Sequence, residues 1–206
     1  MAGALTDLAV ASRLAGRSVA RRLRGEVEAA PDRAEFRSSL ESLLSRAPAG
    51  YVKDYSWVHM DASEPPWVDS GITIADGDVV SYFIGGRVYA NEPLDIWVPL
   101  GTQVWGRVGS EGEVFRGTRA SHSFTATNGG NLYFGNYFPN DWRTPNGERL
   151  QDDAVYADVT GATEILVIRW VKSAGEGLSM LLTGGDHENL LQQELERLSQ
   201  GDTTPA

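Results

Sequence analysis

The spacing of apolar positions divides the chain into a helical opening, a long strand-forming middle and a helical close. In the opening, Leu5, Leu8, Ala15, Val19 and Leu23 recur at helical spacing and predict a helix over residues 4–24. Arg13, Arg17, Arg21 and Arg24 step by four, four and three, so they share one face of it. A second helix is expected from Asp32 to Arg46. Asp32 is a suitable cap, Glu35 follows three residues later, and Phe36, Leu40, Leu43 and Leu44 form the apolar stripe. Ala47-Pro48-Ala49-Gly50 stops that helix.

From Tyr51 the period shortens to two, the mark of half-buried strands. About ten short strands are expected. Early ones are Tyr55–Met60, Trp67–Ile74, Val79–Ile84 and Arg87–Ala90, with Ala75-Asp76-Gly77-Asp78 as a turn and Gly85-Gly86 as a turn or bulge. Leu94–Trp97, Thr102–Gly109, Glu113–Thr118, Ser121–Thr127 and Asn131–Asn136 follow. Ala154–Val159 and Glu164–Val171 close the sheet across Thr160-Gly161-Ala162-Thr163. Ile74, Val80, Phe83, Val88, Trp97, Val104, Phe115, Phe124, Leu132, Val167 and Trp170 are the expected core. After Lys172 the alternation ends. Ser173–Gly177 is expected to be flexible and Leu178–Leu182 to add a short apolar segment. His187–Leu198 is a helix with Leu190, Leu191, Leu195 and Leu198 on one face, and Gly201–Ala206 reads as a frayed end or as a linker to a following domain.

Composition narrows the function classes. At 206 residues, 41% hydrophobic and 22% charged, the chain has the make-up of a globular protein. It has no cysteine, hence no disulfide framework and no thiolate metal site. Net charge is −10, unevenly spread. Residues 1–25 hold five arginines against Asp7 and carry +4, so the rest carries −14. An acidic body argues against nucleic acid as a partner. The basic helix is suited to a membrane surface or an anionic partner, or to covering the sandwich or a neighbouring subunit of a homo-oligomer with its arginines in water. No apolar run approaches the ~20 residues of a membrane span, and arginines interrupt any leader-like stretch, so a cytoplasmic chain is expected.

Two stretches offer binding chemistry. Tyr137–Gly147 (YFPNDWRTPNG) combines aromatic rings with amides and a carboxylate. Rings stack on the apolar C–H face of a sugar, while Asn and Asp take its hydroxyls. Asn136, Tyr137, Asp141, Trp142 and Asn146 are the candidate ligand residues, with Trp142 as platform. The alternative is a Pro-Asn-Asp turn whose aromatics fold back on the core. The second stretch, Arg116-Gly117-Thr118-Arg119 followed by Ser121 and His122, can hold a carboxylate or phosphate through the arginine fork. In an acidic protein those arginines can equally pair with acidic neighbours. His59, His122 and His187 lie in separate elements without zinc-binding spacing. No nucleophile elbow or Walker loop occurs. The carboxylate pairs Asp152-Asp153 and Asp76/Asp78 sit at turns, where Asp is common for backbone reasons. No catalytic residue is assigned.

The spacing Trp105-x-Arg107-Val108-Gly109-x-x-Gly112-x-Val114-Phe115 resembles that of the calcium-dependent, galactose-binding bacterial lectins. So does the framing Gly71-Ile72-Thr73-Ile74-x-x-Gly77-Asp78-x-Val80. The chain is also similar to uncharacterised bacterial proteins with such a sandwich near the N-terminus. The resemblance covers about residues 67–171. It implies a mainly β fold: an antiparallel jelly-roll, galactose-binding-like β-sandwich over 51–172, with helical extensions at 1–50 and 173–206. In those lectins an Asn at a strand end is followed directly by an Asp that ligates calcium. Here Asn136 matches the Asn, but Tyr137 stands where the Asp would be. Asp141 is the one carboxylate left in the loop, and calcium takes six to eight oxygens with carboxylates among them. No cofactor is therefore expected. The function expected is a non-catalytic module binding a carbohydrate or similar polar ligand. A structural or protein-interaction module is the alternative, and a carbohydrate hydrolase the third reading.

Overall fold

The structure, a computed structural model, describes residues 32–64, 67–117, 119–137, 159–182 and 189–200. Within them nine strands form two antiparallel sheets packed face to face, the sandwich that strand alternation predicted. Strands β1 (Val52–Asp61), β9 (Thr160–Trp170) and β3 (Val79–Asn91) lie side by side in the first sheet. The far edge of β3 is shared. Its first half pairs with β7 (Ser121–Thr125) and its second with β4 (Ile96–Val98). The second sheet runs β2 (Val68–Ile74), β8 (Gly130–Asn136), β5 (Val104–Val108) and β6 (Val114–Phe115).

Four helices complete the described fold: α1 (Arg33–Ser45), the single turn α2 (Leu100–Gln103), α3 (Ala174–Leu182) and α4 (Asn189–Ser199). Asp32 caps α1 as the sequence predicts, its carboxylate accepting from the amides of Ala34 and Glu35. The helices explain the composition of the first sheet. Between the sheets lie Val58, Met60, Ile74, Val80, Tyr82, Ile84, Phe124, Leu132, Phe134 and Val167. A second apolar layer on the opposite face joins Phe83, Leu166, Ile168 and Trp170 to Leu40, Leu43, Leu44, Leu178 and Leu191. The first sheet is thus buried on both sides, so β3 and β9 read as near-continuous apolar runs rather than alternating ones.

Several local expectations fail for one physical reason. Gly85-Gly86 is neither turn nor bulge but the middle of a 13-residue strand in unbroken register with β9. A Cβ on Gly85 would strike the Phe36 ring at 2.4 Å, and one on Gly86, at φ +102°, the Ala162 carbonyl at 2.3 Å. Thr160–Thr163 is the first turn-free stretch of β9, not a connection. Ala174–Gly177 opens α3 instead of being flexible: the hydroxyl of Ser173, just before the helix, accepts from the Glu176 amide, and Gly177 lets the helix sit against the Trp170 ring. Each glycine answers to a close tertiary approach, not to a bend. Of the expected core, Trp97 and Phe115 are half-buried and the other nine are buried. The predicted helix at 4–24 and the strand at 154–158 lie outside the described residues.

Candidate functional site

The second sheet carries no helix on its outer face among the described elements, and side-chain alternation sorts its residues cleanly. In β5, Val104 and Val108 face the inter-sheet core, so Trp105 and Arg107 face outward. In β8, Leu132 and Phe134 point in, and Asn131 and Tyr133 out. In β2, Ile72 and Ile74 point in, and Asp69 and Thr73 out. Register then lines the outer residues into rows. Asp69, Tyr133, Arg107 and Val114 form one row across all four strands.

Rings and guanidinium groups interleave on this face. The Arg107 guanidinium carbon lies 4.2 Å from the Trp67 ring centroid and 5.6 Å from that of Tyr133. Burial holds the Arg107 pKa below the ordinary guanidinium value, against the pull of Glu111. Trp105 packs on Tyr137 at 4.8 Å between centroids, and Arg116 lies 5.2 Å from the Trp105 centroid. Such contacts combine cation–π attraction with stacking. Beside the rings is a polar strip. The Asn131 amide donates to Asp69 at 3.0 Å, and the Thr73 hydroxyl donates to the Asn131 amide oxygen at 2.8 Å. Trp67 holds φ +141°, a conformation that costs an L-residue about 1–3 kcal/mol and occurs where surrounding contacts dictate it.

The sequence-predicted residues fall into three groups. Tyr137 and Arg116 belong to this face, meeting through Trp105. Arg119 is exposed at the same end: its backbone lies against Gly101, in the helical turn whose Gln103 carbonyl accepts the Tyr137 amide at 2.8 Å. Asn136 is buried beneath that end, its amide donating to the Asp61 carbonyl at 3.3 Å. It joins β8 to the end of β1. His122 departs from the predicted polar cluster. It is buried between the sheets, 5.9 Å from Phe124 in a stack and 5.6 Å from Tyr82. Its neighbour Ser121 points the other way and donates to Glu194 under α4, as adjacent strand residues must. Asp141, Trp142 and Asn146 lie outside the described residues.

Trp67, Trp105, Arg107 and Tyr133 had not been singled out as ligand residues from the sequence. Their signal was present as outward phase: Trp105-x-Arg107 and Asn131-x-Tyr133 alternate with Val and Leu at the core positions. A cavity of about 360 Å³ opens elsewhere, where Val108, Phe115, Phe124 and Ala126 meet Glu113 and Asn128. Four of these six are apolar residues of the inter-sheet core or its margin, so the cavity reads as an incompletely filled sandwich edge. Among the described residues no three His, Cys, Asp or Glu side chains gather as a metal site, and no described helix is long and apolar enough to cross a membrane.

No family model matches the chain, and no curated protein matches it. Among solved structures it is similar to an EclA N-terminal domain described as a PllA-like lectin, at 12% identity and a TM-score of 0.43, over 59% of this chain and 99% of that one. A conserved Bacillus anthracis protein of unknown function is similar at 12% identity and a TM-score of 0.33, over 66% of this chain and 27% of the other. The IMPa metallopeptidase of Pseudomonas aeruginosa, solved in complex with T-antigen, is similar at 11% identity and a TM-score of 0.29, over 77% and 17%. At such values any functional argument rests on this chain's own residues.

Proposed function

We propose that the chain is a non-catalytic saccharide-binding module and that the outer face of the β2-β8-β5-β6 sheet takes the ligand. The observation that carries this reading is the interleaving of Trp67, Trp105, Tyr133 and Tyr137 with Arg107 and Arg116 beside the Asp69–Asn131–Thr73 strip. Rings offer flat apolar surface to the C–H face of a pyranose, and the polar strip offers directed donors and acceptors to its hydroxyls. A sugar hydroxyl exchanges water for protein, so each neutral hydrogen bond adds only about 0.5–1.5 kcal/mol. A single open face should therefore bind in the millimolar to high micromolar range and gain from multivalency. The test is ligand-observed NMR and isothermal titration against a broad set of mono- and oligosaccharides. Trp105→Ala should abolish binding while leaving the melting temperature nearly unchanged, and EDTA should have no effect. Binding that survives Trp105→Ala, or no binding across the set, would refute the assignment.

A further inference from the structure

The chain is acidic, with 28 Asp and Glu against 18 Lys and Arg, and four of its described arginines face carboxylates. Arg37 bonds Glu41 and, with Arg33, faces Glu164. Arg169 grips Asp54 and Asp78, and Arg197 holds Glu194. Arg116 and Arg119 stand apart from these four. Both are exposed at the end of the sheet where Trp105 meets Tyr137, and among the described residues no carboxylate lies within ion-pair distance of either. An unneutralised guanidinium stacked over an indole presents its N–H fork edge-on, a geometry matched to the two oxygens of a carboxylate. With Arg116 over the Trp105 ring and Arg119 exposed on the segment packed against Gly101, the site offers one ligand both a stacking surface and an anion clamp.

Resting on the saccharide reading above, we infer that the preferred ligand is an acidic saccharide, a sugar bearing a carboxylate, with Arg116 and Arg119 as the anion-holding groups and Trp105 and Tyr137 as the apolar contact. Arg116 and Tyr137, which the sequence offers in separate stretches, then serve one ligand. Arg107 is set deeper between Trp67 and Tyr133 and shapes the face rather than capping the anion.

The experiment is isothermal titration of the full chain with tri-galacturonate, with neutral galactotriose, and with acetate and inorganic phosphate alone. The acid should bind about tenfold or more tightly than the neutral sugar, in line with one charge-assisted contact. Raising sodium chloride from low to high concentration should weaken the acid selectively. Arg116→Gln should bring acid and neutral sugar to equal affinity with no loss of melting temperature, since Arg116 is exposed. Arg119→Gln should narrow the gap, and Arg116→Lys should restore part of it, because the charge returns without the fork. Equal binding of acid and neutral sugar by the unaltered chain, at any salt, would overturn the anion inference and leave the saccharide reading standing. No binding of either sugar would overturn both. Acetate or phosphate binding as tightly as the acid would overturn saccharide selectivity.

Discussion

The helix α4 is fastened by a buried charge pair whose disruption should be costly and should reverse the sign of a pH dependence. Glu194 is fully enclosed and Arg197 is 5% exposed. The Arg197 Nη2 donates to one Glu194 oxygen at 2.7 Å, and its Nε bridges both oxygens at 3.1 and 3.2 Å. Ser121 donates to the same carboxylate at 3.0 Å, and Arg197 also donates to the Ser123 carbonyl at 3.2 Å, so the pair ties α4 to β7. Arg197→Met would leave a buried carboxylate without its cation. Loss of one partner of a buried pair costs about 3–5 kcal/mol, a large part of the ~5–15 kcal/mol that holds a domain folded. The pH dependence follows from the carboxylate. In the unaltered chain burial pushes the Glu194 pKa up, but the hydrogen bonds and charge of Arg197 outweigh it, and the pKa lies below the usual value. A depressed carboxylate stabilises above its unfolded pKa near 4.3 and loses that contribution as pH falls through the folded value. In Arg197→Met burial acts with only hydroxyl donors against it, so the folded pKa should rise above the unfolded one. Its penalty then grows as pH rises past about 4.3 and shrinks below it. Urea unfolding followed by tryptophan fluorescence at pH 7 and pH 4 measures both effects. The destabilisation should exceed about 3 kcal/mol at pH 7 and fall markedly at pH 4. A difference under 1 kcal/mol at pH 7, or one that does not change with pH, would refute the argument. Glu194→Leu combined with Arg197→Met should recover most of the loss, because no unpaired charge remains.

Asp78 should make a smaller contribution of the same sign. The ammonium of Lys53, the Ala75 amide and Arg169 hold its pKa at about 2, so its stabilisation is complete above about pH 4 and is lost as pH falls toward 2. Solvent at this rim reduces a two-unit shift to about 1 kcal/mol, which Asp78→Asn should cost at pH 7 and not at pH 2 in denaturant titrations. Gly86→Ala should cost more than about 2 kcal/mol, from φ +102° and the Ala162 carbonyl 2.3 Å from the added carbon. A thermal melt equal to that of the unaltered chain would show that β3 and β9 can slide apart there.

The parts of the fold legible in sequence are those whose causes are local. Asp32 and Ala47-Pro48 bracket α1 because capping and chain stiffness act within one turn. Ala75–Asp78 turns because the Asp78 carboxylate accepts the Ala75 amide at 2.9 Å, a contact three residues long. Gly85, Gly161 and Gly177 mislead because the groups that exclude a side chain there, the Phe36 ring, the Arg87 carbonyl and the Trp170 ring, come from elsewhere in the chain. His122 misleads for a related reason: beside Arg119 and Ser121 in sequence it reads as polar surface, but strand phase turns it inward onto Phe124 and Tyr82.

The candidate site repeats that lesson across strands. Arg116 and Tyr137 are legible as ligand types, yet what joins them is Trp105, on β5, which pairs with the two strands they directly follow. The sequence points to Trp142, which lies outside the described residues, and nothing local in it shows that Trp105 faces outward. The division of labour between the sheets decides it. The outer face of the first sheet is claimed by α1, α3 and α4, so its large side chains Phe83, Leu166 and Trp170 serve packing. The outer face of the second has no helix against it among the described elements, and its rings are separated by arginines and ringed by Asp69, Thr73 and Asn131. On the first sheet that outer face is closed by packed apolar side chains, Phe83, Leu166, Ile168 and Trp170 among them. Alternating indole, phenol and guanidinium across four strands instead keeps flat apolar surface wettable, the condition under which a polar ligand with one apolar face can displace water.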